Sequence, residues 1–451
     1  MGCDEVVDPE PCAAPEIIRS NVTSNTNNVL SAIVTANVRF ADSVGLRYGL
    51  APGTMDDVAP AVAPALDSVL VPLLGLHASS SYNIQLVAYS ACGITASAVH
   101  TFTTSPLPSD LPKYTATGQN PAPGYVAFAA GNYGLVIDNT GRIVWYHRFP
   151  NGPGLNFQPQ ANGRYAARPN PVSSSDIARW VEIDPMGNVK RTLGCAENLQ
   201  PRIHDLLAAT DGSYWLLCDQ IRTMDLSASG GSSQAAVLGT GVQHVSATGT
   251  LLFSWTPFDH FDVDLQALDP ADRSGPVINW THGNAIDLDV DGNLLVSFRN
   301  LSEVTKINTR TGAVMWRMGG ARNQFTFENV TAPAFLRQHG LRATAAGRLQ
   351  MLDNLGDPLA SRFERYEYDE VRRTVRMISS IASTTGVVAL IGGNTQNLAG
   401  GRSLVSYGNG GSVEETDAAG TVVWRIDGNP GYVFRAQRIR SLYKPGVGDT
   451  R

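Results

Sequence analysis

Short apolar runs broken by turn residues recur along most of this chain. A strand pattern rich in Val, Ile and Leu leads into a turn of the type Asp-x-x-Gly, and a second strand that often ends in Trp follows it. This alternation is typical of β-hairpins. Six copies, one of them degenerate, lie at residues 137–145, 182–189, 247–255, 307–316, 366–375 and 417–424.

A second set of hairpins, each with its own glycine turn, lies beside these copies. Examples are residues 205–218 around Gly212 and residues 285–297 around Gly292. Two hairpins supply the four strands of one blade, so the repeat predicts a six-bladed β-propeller over residues 113–451. No long stretch keeps apolar residues at helical spacing, which argues against helical repeats.

The amino-terminal region follows another pattern. Its strands alternate over residues 15–105, and residues 76–86 with the strand at 101–104 resemble the final third of a fibronectin type III domain. We therefore expect an all-β chain with a fibronectin III-like β-sandwich at residues 15–105. A Pro-rich linker at residues 106–112 and a tether at residues 1–14 complete the predicted organisation.

Composition narrows the range of partners. The chain carries 34 basic and 40 acidic residues, a formal net charge of -6, without long runs of one sign. Nucleic-acid binding needs a concentrated basic face, so we expect no nucleic-acid partner. No apolar run approaches the roughly 18 residues of a membrane-spanning helix.

The cysteines suggest an oxidising compartment. Gly2-Cys3 resembles the cleavage boundary of a bacterial lipoprotein, so we expect a periplasmic or extracytoplasmic protein with a possible lipid anchor at Cys3. A chance cysteine near the start is the alternative. The remaining four form an even set, as such a compartment favours. Within-domain pairing would join Cys12 to Cys92 and Cys195 to Cys218, but four thiols allow three connectivities and spacing does not decide among them.

One segment superficially matches a calcium loop. Residues 287–293 alternate Asp with apolar residues before Gly292, yet the twelfth position is Phe298 rather than Glu. We therefore interpret the segment as a hairpin turn rather than a cation site.

Three histidines occupy equivalent places in three successive repeats. His204, His282 and His339 precede the glycines of their inner turns by eight, ten and eight residues. A single histidine in a strand is usually structural, but three in register predict imidazoles that converge at one site. Gln158 and Gln396 are the polar equivalents expected in the first and last repeats.

Zinc is the competing explanation, because three histidines can hold a catalytic metal. No carboxylate accompanies the three histidines except Asp205, and Arg299 would bring an opposing charge. We therefore expect no metal and no cofactor.

The surrounding motifs resemble one family. Asn-Trp-Thr-His-Gly-Asn from residue 279, Ser-Phe-Arg-Asn from residue 297, and Phe-Leu-Arg-Gln-His-Gly from residue 335 followed by Leu-Asp-Asn at 352–354 are similar to the core of bacterial arylsulfate sulfotransferases. The resemblance covers most of residues 113–440.

This resemblance implies an enzyme that transfers a sulfuryl group from a phenolic sulfate ester to a phenol, independently of the nucleotide donor PAPS. It implies ping-pong kinetics through a sulfohistidine at His339, with the sulfuryl oxygens bound by His282, Asn284 and Arg299. His204 would complete this anion cradle or handle the phenolic proton. Consistently, the chain has no Gly-x-x-x-x-Gly-Lys phosphate loop.

The chemistry requires these residue types. Cationic and amide donors neutralise the sulfuryl oxygens, and a neutral imidazole is a good nucleophile near neutral pH. Gln338, Gln158 and Gln396 are the remaining predicted substrate-binding residues. Gly340 replaces the family's usual Asp after the nucleophile and Gly283 lies within the His-x-Asn element, so we expect a wider channel than in relatives.

Two other functions stay open from the sequence. One is a non-enzymatic propeller that binds an anion or serves as a scaffold. The other is a metal-dependent hydrolase or lyase that acts on aryl esters or sulfated substrates.

Overall fold

The computed structural model describes residues 12–152, 156–171, 173, 176–330, 334–428 and 430–449. The chain is all-β and forms two compact units, residues 1–110 and residues 111–451. No described helix is long and apolar enough to cross a membrane. Cys3 and most of the predicted tether lie outside the described residues.

The first unit contains two antiparallel sheets. Their strands are β1 Glu16–Ser24, β2 Ser31–Arg39, β3 Ser43–Leu50, β4 Asp57–Val62, β5 Ser68–Leu74, β6 Ser81–Ser90, β7 Gly93–Ala96 and β8 His100–Thr103. One sheet has the order β1-β2-β5, and the other has the order β4-β3-β6-β7 with β8 also paired to β6.

Alternate side chains of these strands form the core of the first unit. Val34 in β2, Val71 in β5 and Ile84 in β6 are fully buried, whereas their sequence neighbours face outward. The period of two is the burial pattern of a sheet with one covered face. A disulfide joins Cys12 to Cys92, with Cα atoms 5.5 Å apart.

The second unit contains short strands in chain order. They are β9 Thr115–Gly118, β10 Tyr125–Ala130, β11 Tyr133–Ile137, β12 Ile143–Arg148, β13 Phe157–Pro159, β14 Tyr165–Ala167, β15 Trp180–Ile183, β16 Val189–Leu193, β17 Gln200–Ala208, β18 Tyr214–Met224, β19 Ala235–Val245, β20 Leu251–Trp255, β21 Ile278–Asn279, β22 Gly283–Leu288, β23 Leu294–Phe298, β24 Glu303–Ile307, β25 Val314–Gly319, β26 Thr326–Phe327, β27 His339–Ala345, β28 Arg348–Gly356, β29 Ala360–Asp369, β30 Thr374–Ala382, β31 Asn394–Asn397, β32 Ser403–Ser406, β33 Val413–Thr416, β34 Val422–Asp427 and β35 Ala436–Ile439.

Helical structure is confined to single turns in this unit. The one described α-helix is α1 Pro270–Arg273, and the 3-10 turns are Ser227–Ser229, Pro257–Asp259, Leu265–Ala267 and Ala399–Gly401.

Among the described residues these strands form six sheets, numbered here along the chain. Sheet I is β12-β11-β10-β35, sheet II is β13 to β16, sheet III is β17 to β20, sheet IV is β22 to β25, sheet V is β27 to β30, and sheet VI is β31 to β34 with β9. Short β21 and β26 add parallel pairs to sheets III and V. All six predicted outer hairpins are confirmed, each as an antiparallel pair.

Two strands from the ends of the unit complete sheets at the opposite end of its sequence. The carboxyl-terminal β35 pairs with β10 in sheet I, and the amino-terminal β9 pairs with β34 in sheet VI. Gln158, predicted for the first repeat, therefore lies in β13 of sheet II, and the corresponding place in sheet I belongs to β35. The pairing of β35 with β10 and of β9 with β34 joins segments that are far apart in sequence, so the periodicity of the hairpins does not predict it.

Tryptophans at the ends of outer hairpins link neighbouring sheets. The indole N–H of Trp145 donates to the Pro185 carbonyl at 2.7 Å, and that of Trp255 donates to the Gly312 carbonyl at 3.1 Å. Trp424 in sheet VI reaches the Asn139 carbonyl of sheet I at 2.9 Å. Each buried ring thus covers apolar surface while its single polar atom meets the adjacent outer turn.

Polar side chains form a second set of links between the sheets, named here the inner latches. Each side chain bonds the backbone of the first strand of the next sheet, of the residue just before that strand, or of β35, from sheet II through to sheet I. The bonds join Gln158 to Leu206, Asp205 to Ile286, Asn284 to Gln338, Gln350 to Thr395, and Gln396 to Arg438.

The resemblance of residues 287–293 to a calcium loop is resolved as a turn. Asp289 and Asn293 close the β22–β23 hairpin, and the Lys306 ammonium lies 2.7 Å from Asp289 and 2.8 Å from Asp291. Glu370 also contacts this ammonium. These three carboxylates are the one acidic group with metal-ligand spacing in the described part of the chain, and a lysine occupies their centre.

A second disulfide lies in sheet III. It joins Cys195 to Cys218 with Cα atoms 6.1 Å apart, so both within-unit pairings considered from the sequence are confirmed.

Candidate active site

The three predicted histidines meet at one place. The ring centroids of His204 and His282 are 5.0 Å apart, and those of His204 and His339 are 6.1 Å apart. Sheets III, IV and V each contribute one imidazole, from β17, from the residue before β22, and from the first residue of β27. The predicted convergence is confirmed.

Backbone irregularities place all three rings. The pairing of β17 with β18 shifts register between Pro201 and Leu206, and comparable shifts follow Gly283 in β22 and His339 in β27. His282 itself has a φ of 49°, in the left-handed region that is costly for a residue with a Cβ. Such distortions release these residues from the regular ladder and turn their side chains toward one another.

His339 has its proton fixed by two acceptors. Its Nδ1 lies 2.8 Å from the Asn354 Oδ1 and 3.1 Å from the Arg337 carbonyl. The Asn354 Nδ2 donates to the carbonyls of Ala389 and Gly392, which identifies Oδ1 as the acceptor side of this amide. His339 therefore carries its proton on Nδ1, and the lone pair is on Nε2.

One backbone amide approaches that lone pair. Gly392 N–H donates to the His339 Nε2 at 3.3 Å, longer than a typical N–H···N bond. The Nε2 atom is otherwise free of hydrogen-bond partners among the described residues.

His204 has the opposite proton arrangement. The Arg202 Nε lies 3.2 Å from the His204 Nδ1, and a guanidinium can only donate. Nδ1 is therefore the acceptor, and neutral His204 carries its proton on Nε2. Arg202 is held in turn by Asp219, 2.6 Å from its Nη1.

His282 is oriented by a neighbouring amide. The Asn279 Nδ2 lies 2.9 Å from the His282 Nδ1, so this ring also accepts at Nδ1 and carries its proton on Nε2. Asn300 holds the Asn279 backbone carbonyl at 2.6 Å, and the Arg299 N–H donates to the His282 carbonyl at 3.1 Å.

All three imidazoles are kept neutral. Burial, together with the charges of Arg299 and Arg435, lowers the pKa of His339 to about 3, although its hydrogen bond to Asn354 acts in the opposite direction. Burial, followed by Arg202, lowers the pKa values of His204 and His282 well below the usual range. At neutral pH the site thus presents one unprotonated Nε2, from His339, and two Nε2–H donors.

Among the arginines beside the three rings, Arg299 makes no ion pair with a carboxylate of the described residues. Its Nη1 donates to the Asn300 Oδ1 at 2.9 Å and its Nη2 to the Leu390 carbonyl at 3.4 Å, whereas its buried Nε has no partner among the described residues. Nearby Arg337 makes ion pairs with Asp269 and Asp272. Arg299 therefore retains positive charge and donor capacity for an anion.

A buried ion cluster lies next to the imidazoles. Asp205, adjacent to His204, accepts from Arg342 at 2.7 Å and from Arg435 at 3.3 Å. Arg435 also donates to the His204 carbonyl at 3.2 Å. Asp205 lies closer to Arg342 than to Arg435, so the charge of Arg435 is less fully compensated and adds to the positive potential at the rings. Burial lowers the pKa of Arg435 itself to about 10.

Aromatic and apolar groups border the imidazoles on another side. The Phe434 ring centroid is 5.5 Å from that of His204 and 6.5 Å from that of His339, and Tyr432 packs on Phe434. Leu390 and Ile391, which flank the Gly392 amide, are exposed apolar side chains. This border offers an apolar surface for an aryl ring beside the polar pocket.

The four predicted substrate-binding residues have their amide groups engaged in the fold. Gln158 and Gln396 are inner latches, and Gln396 both donates to the Arg438 carbonyl and accepts from its N–H. Gln338 donates to Ser297 and to the Glu303 carbonyl. Asn284 uses one of its two amide N–H groups on the Gln338 carbonyl, at 2.6 Å. The structure thus joins Asn284 and Gln338 to the His339 strand and gives Gln158 and Gln396 a structural role.

The two glycines that were expected to widen the channel both lie against neighbouring chain. A Cβ on Gly340 would lie 2.7 Å from the Asn394 Cα, and a Cβ on Gly283 would lie 2.8 Å from the Thr240 Cγ2. Both positions are already packed against neighbouring chain. Gly340 also has a φ of 63°, which favours glycine.

Several site residues were missed by sequence reasoning. Arg202 and Asn279, which set the protons of His204 and His282, precede those histidines by two and three residues, so a search for donors beside each ring would have found them. Asn354 stands in the Leu-Asp-Asn motif. Arg435 and Phe434 gave no signal, because they reach the site only through the exchange that places β35 in sheet I.

The comparison with protein families gives a clear result. The model of the arylsulfotransferase family (ASST) matches residues 198–429, which include the three histidines, Arg202, Arg299 and Asn354. A cluster of three imidazoles on an all-β frame thus belongs to a group-transfer class of enzymes. This chain is a member of the arylsulfotransferase family. No curated protein matches it.

Solved structures give distant similarities. A protein of unknown function from Bacteroides caccae is 14% identical, with a TM-score of 0.46 and coverage of 71% of this chain and 100% of that one. A DUF4784 family protein from Bacteroides caccae is 10% identical, with a TM-score of 0.35 and coverage of 93% and 98%. Apo AztD from Citrobacter koseri is 11% identical, with a TM-score of 0.27 and coverage of 87% and 97%.

Proposed function

We propose that this protein transfers a sulfuryl group from a phenolic sulfate ester to a phenolic acceptor through a covalent intermediate on His339. The observation that carries the proposal is the arrangement of protons in the site. His339 alone presents an unprotonated Nε2, and its neighbours present donors and one uncompensated guanidinium. A nucleophile surrounded by donors suits an electrophile with a negatively charged periphery.

The frame for this chemistry would be a six-bladed β-propeller preceded by a fibronectin III-like sandwich. Six sheets of four or five strands, the pairing of β9 and β35 with sheets at the opposite end of the sequence, and the inner latch that returns from sheet VI to sheet I support that architecture. In the first unit, the Tyr82 hydroxyl accepts from the His77 N–H at 2.8 Å, which resembles the tyrosine contact of such sandwiches.

In the first step, the His339 Nε2 lone pair attacks the sulfur. An N–S bond forms as the bond from sulfur to the phenolic oxygen breaks, and the electron pair leaves on that oxygen. Arg299 and the Nε2–H groups of His204 and His282 stabilise the charge on the sulfuryl and leaving oxygens. Once the Nε2 lone pair forms the N–S bond, it no longer accepts a hydrogen bond from the Gly392 N–H, and that N–H becomes available to a sulfuryl oxygen.

The intermediate keeps the Nδ1 proton, because Asn354 is an amide and does not act as a base. The ring of the sulfohistidine is therefore cationic and its sulfuryl group anionic, so the pair is neutral overall. A cationic imidazole is a good leaving group, which keeps the intermediate reactive toward the second phenol. In the second step the acceptor oxygen attacks sulfur and His339 departs with the N–S electron pair.

This scheme needs neither a nucleotide donor nor a metal. The donor is itself an activated ester, and the two steps use only side chains of this chain. We assign no substrate contact to Gln158 or Gln396, whose amides serve as inner latches.

An extracytoplasmic location, periplasmic in a bacterium, accords with the two disulfides. We propose further that Cys3 carries a lipid anchor. Mass spectrometry of the amino-terminal peptide from the native host would test this, because a free thiol at Cys3 would exclude the anchor.

Incubation with 4-nitrophenyl sulfate alone tests the transfer mechanism. We expect a burst of nitrophenol, one sulfuryl mass added to the peptide that contains His339, and a new aryl sulfate when a second phenol follows. His339→Ala should abolish all three, whereas His260→Ala, at an exposed histidine stacked on Trp255, should leave them intact.

The alternatives predict other results. An anion-binding scaffold would bind the ester without release of nitrophenol. A metal-dependent hydrolase would produce free sulfate and lose activity with chelator. A sequential rate law with no adduct would indicate direct transfer between two bound phenols.

A further inference from the structure

Arg202 determines which nitrogen of His204 carries the proton. The Arg202 Nε donates to the His204 Nδ1 at 3.2 Å, while Asp219 holds the Arg202 Nη1 at 2.6 Å. The second Asp219 oxygen accepts from the Thr240 hydroxyl at 2.8 Å, so both oxygens of the carboxylate that holds Arg202 are engaged. A proton cannot be added to Nδ1 without breaking this contact.

Protonation of His204 would also crowd like charges. The groups that face this ring are His282 and His339 from the neighbouring sheets, Phe434, and the cations Arg202, Arg299 and Arg435, with Asp219 and Asp205 as the carboxylates. Both carboxylates are already engaged by guanidinium groups. An imidazolium here would be a further buried cation without a counter-ion, which is costly.

His282 is restricted in the same way. Its Nδ1 accepts from the Asn279 amide at 2.9 Å, and its ring faces His204, His339, Arg202 and Arg299. Its Nε2 is therefore a donor. Tyr432, the remaining phenol beside Arg299, is half-buried and packs on Phe434, and Asp272 is bound to Arg337.

We propose that the site holds no general base for the acceptor, so that the acceptor phenol enters as its phenolate and the donor phenol leaves as its phenolate. Arg202 is a positioning residue that keeps His204 a hydrogen-bond donor. The second step needs no proton transfer. The phenolate oxygen gives an electron pair to sulfur, the electron pair of the N–S bond returns to the His339 Nε2, and the Nδ1 proton stays in place. This inference rests on the proposed sulfuryl transfer.

The test is the pH profile of the second step with different acceptors. Phenols would be chosen to span about three pKa units below the value of about 10 for an unsubstituted phenol. If the phenolate reacts, kcat/KM for each acceptor rises tenfold per pH unit and levels off at that acceptor's own pKa. A catalytic base would instead give one inflection, shared by all acceptors, and would overturn the proposal.

The role of Arg202 is tested by removing its contact. In the double variant Arg202→Met with Asp219→Asn, which leaves no buried carboxylate behind, the His204 Nδ1 becomes available to a proton. We expect an inflection common to all acceptors to appear in that variant. Arg168→Met removes a neighbouring cation that has no contact with His204 and should keep the wild-type profile.

A direct readout does not depend on turnover. Nitrogen NMR of the histidine-labelled protein, with His204 assigned by loss of its signals in His204→Asn, should show a neutral ring protonated on Nε2 from pH 6 to 8. A signal for Nδ1–H, or for imidazolium within that range, would refute the role of Arg202. If no sulfuryl transfer occurs with any acceptor, the proposed function fails instead, and the NMR result still reports on the Arg202 contact.

Discussion

The donor half-reaction should keep its rate as the solution becomes acidic. The perturbation is a change from pH 8 to pH 5 with 4-nitrophenyl sulfate and no acceptor. His339 is buried, and burial lowers its pKa to about 3. A group with a lowered pKa loses its proton at lower pH, so the nucleophile is neutral and ready throughout this range.

The magnitude follows from the fraction of neutral imidazole. With the usual histidine pKa of about 6.5, roughly 3% of the rings would be neutral at pH 5, and the burst would slow about 30-fold. With a pKa of about 3, about 99% of the rings are neutral at pH 5. The leaving phenolate takes no proton from the enzyme in this scheme, so no acid limb is expected either.

The assay is rapid-mixing measurement of nitrophenol release, quenched into alkali so that absorbance is independent of the reaction pH. Circular dichroism at each pH controls for loss of the fold. A burst rate that falls at least tenfold between pH 8 and pH 5, in protein that remains folded, would show that His339 is protonated there and would refute the desolvation argument.

Three further variants probe charge, one in the site and two elsewhere in the second unit. Arg299→Lys should lower kcat/KM about 10- to 100-fold, because one ammonium cannot replace a fork that contacts Asn300 and, in the proposed mechanism, the sulfuryl oxygens. Arg348→Lys, in an exposed ion pair, should leave kcat/KM unchanged, and equal activities of the two variants would remove Arg299 from the site. Burial raises the pKa of Glu364 to about 8, above its value of about 4.5 in the unfolded chain. The stabilising contribution of Glu364 is therefore complete below about pH 4.5 and is lost as the pH rises through about 8. Glu364→Gln should reduce the change in the free energy of unfolding in urea between those pH values by on the order of a few kcal/mol, and an unchanged pH dependence would contradict this. Lys306→Ala should lower the melting temperature, and calcium should partly restore it by replacing the ammonium among Asp289, Asp291 and Glu370. If calcium does not change the melting temperature of this variant, the three carboxylates separate once the lysine is gone.

The hairpins and the three histidines could be predicted because each depends on local spacing. Asp-x-x-Gly turns reveal a hairpin within about ten residues, and His204, His282 and His339 keep similar intervals to the following turns. These features needed no knowledge of which sheet stands beside which. The two disulfides were one of three connectivities open from the sequence, and the structure decides in favour of pairing within each unit.

The supporting contacts could not be predicted because they depend on register between distant strands. Asn354 meets His339 only when β28 pairs with β27 at the shifted register that begins at that histidine. Gln158 and Gln396 looked like ligands because polar residues on inner strands have two possible uses, as site groups or as inner latches. Only the position of the adjacent strand's backbone distinguishes them.

One carboxylate connects the chemistry to the fold. Asp205 belongs to the His204 strand of sheet III, yet it accepts from the Ile286 N–H of sheet IV at 3.1 Å and from Arg342 of sheet V at 2.7 Å. It also binds Arg435, which precedes the β35 strand of sheet I, at 3.3 Å. The three sheets that carry the imidazoles and the segment before β35 that carries Phe434 are therefore tied to the same two oxygen atoms. This buried acid therefore helps to hold the spacing of the imidazoles, whose pKa values are lowered first by burial and then by the surrounding cations.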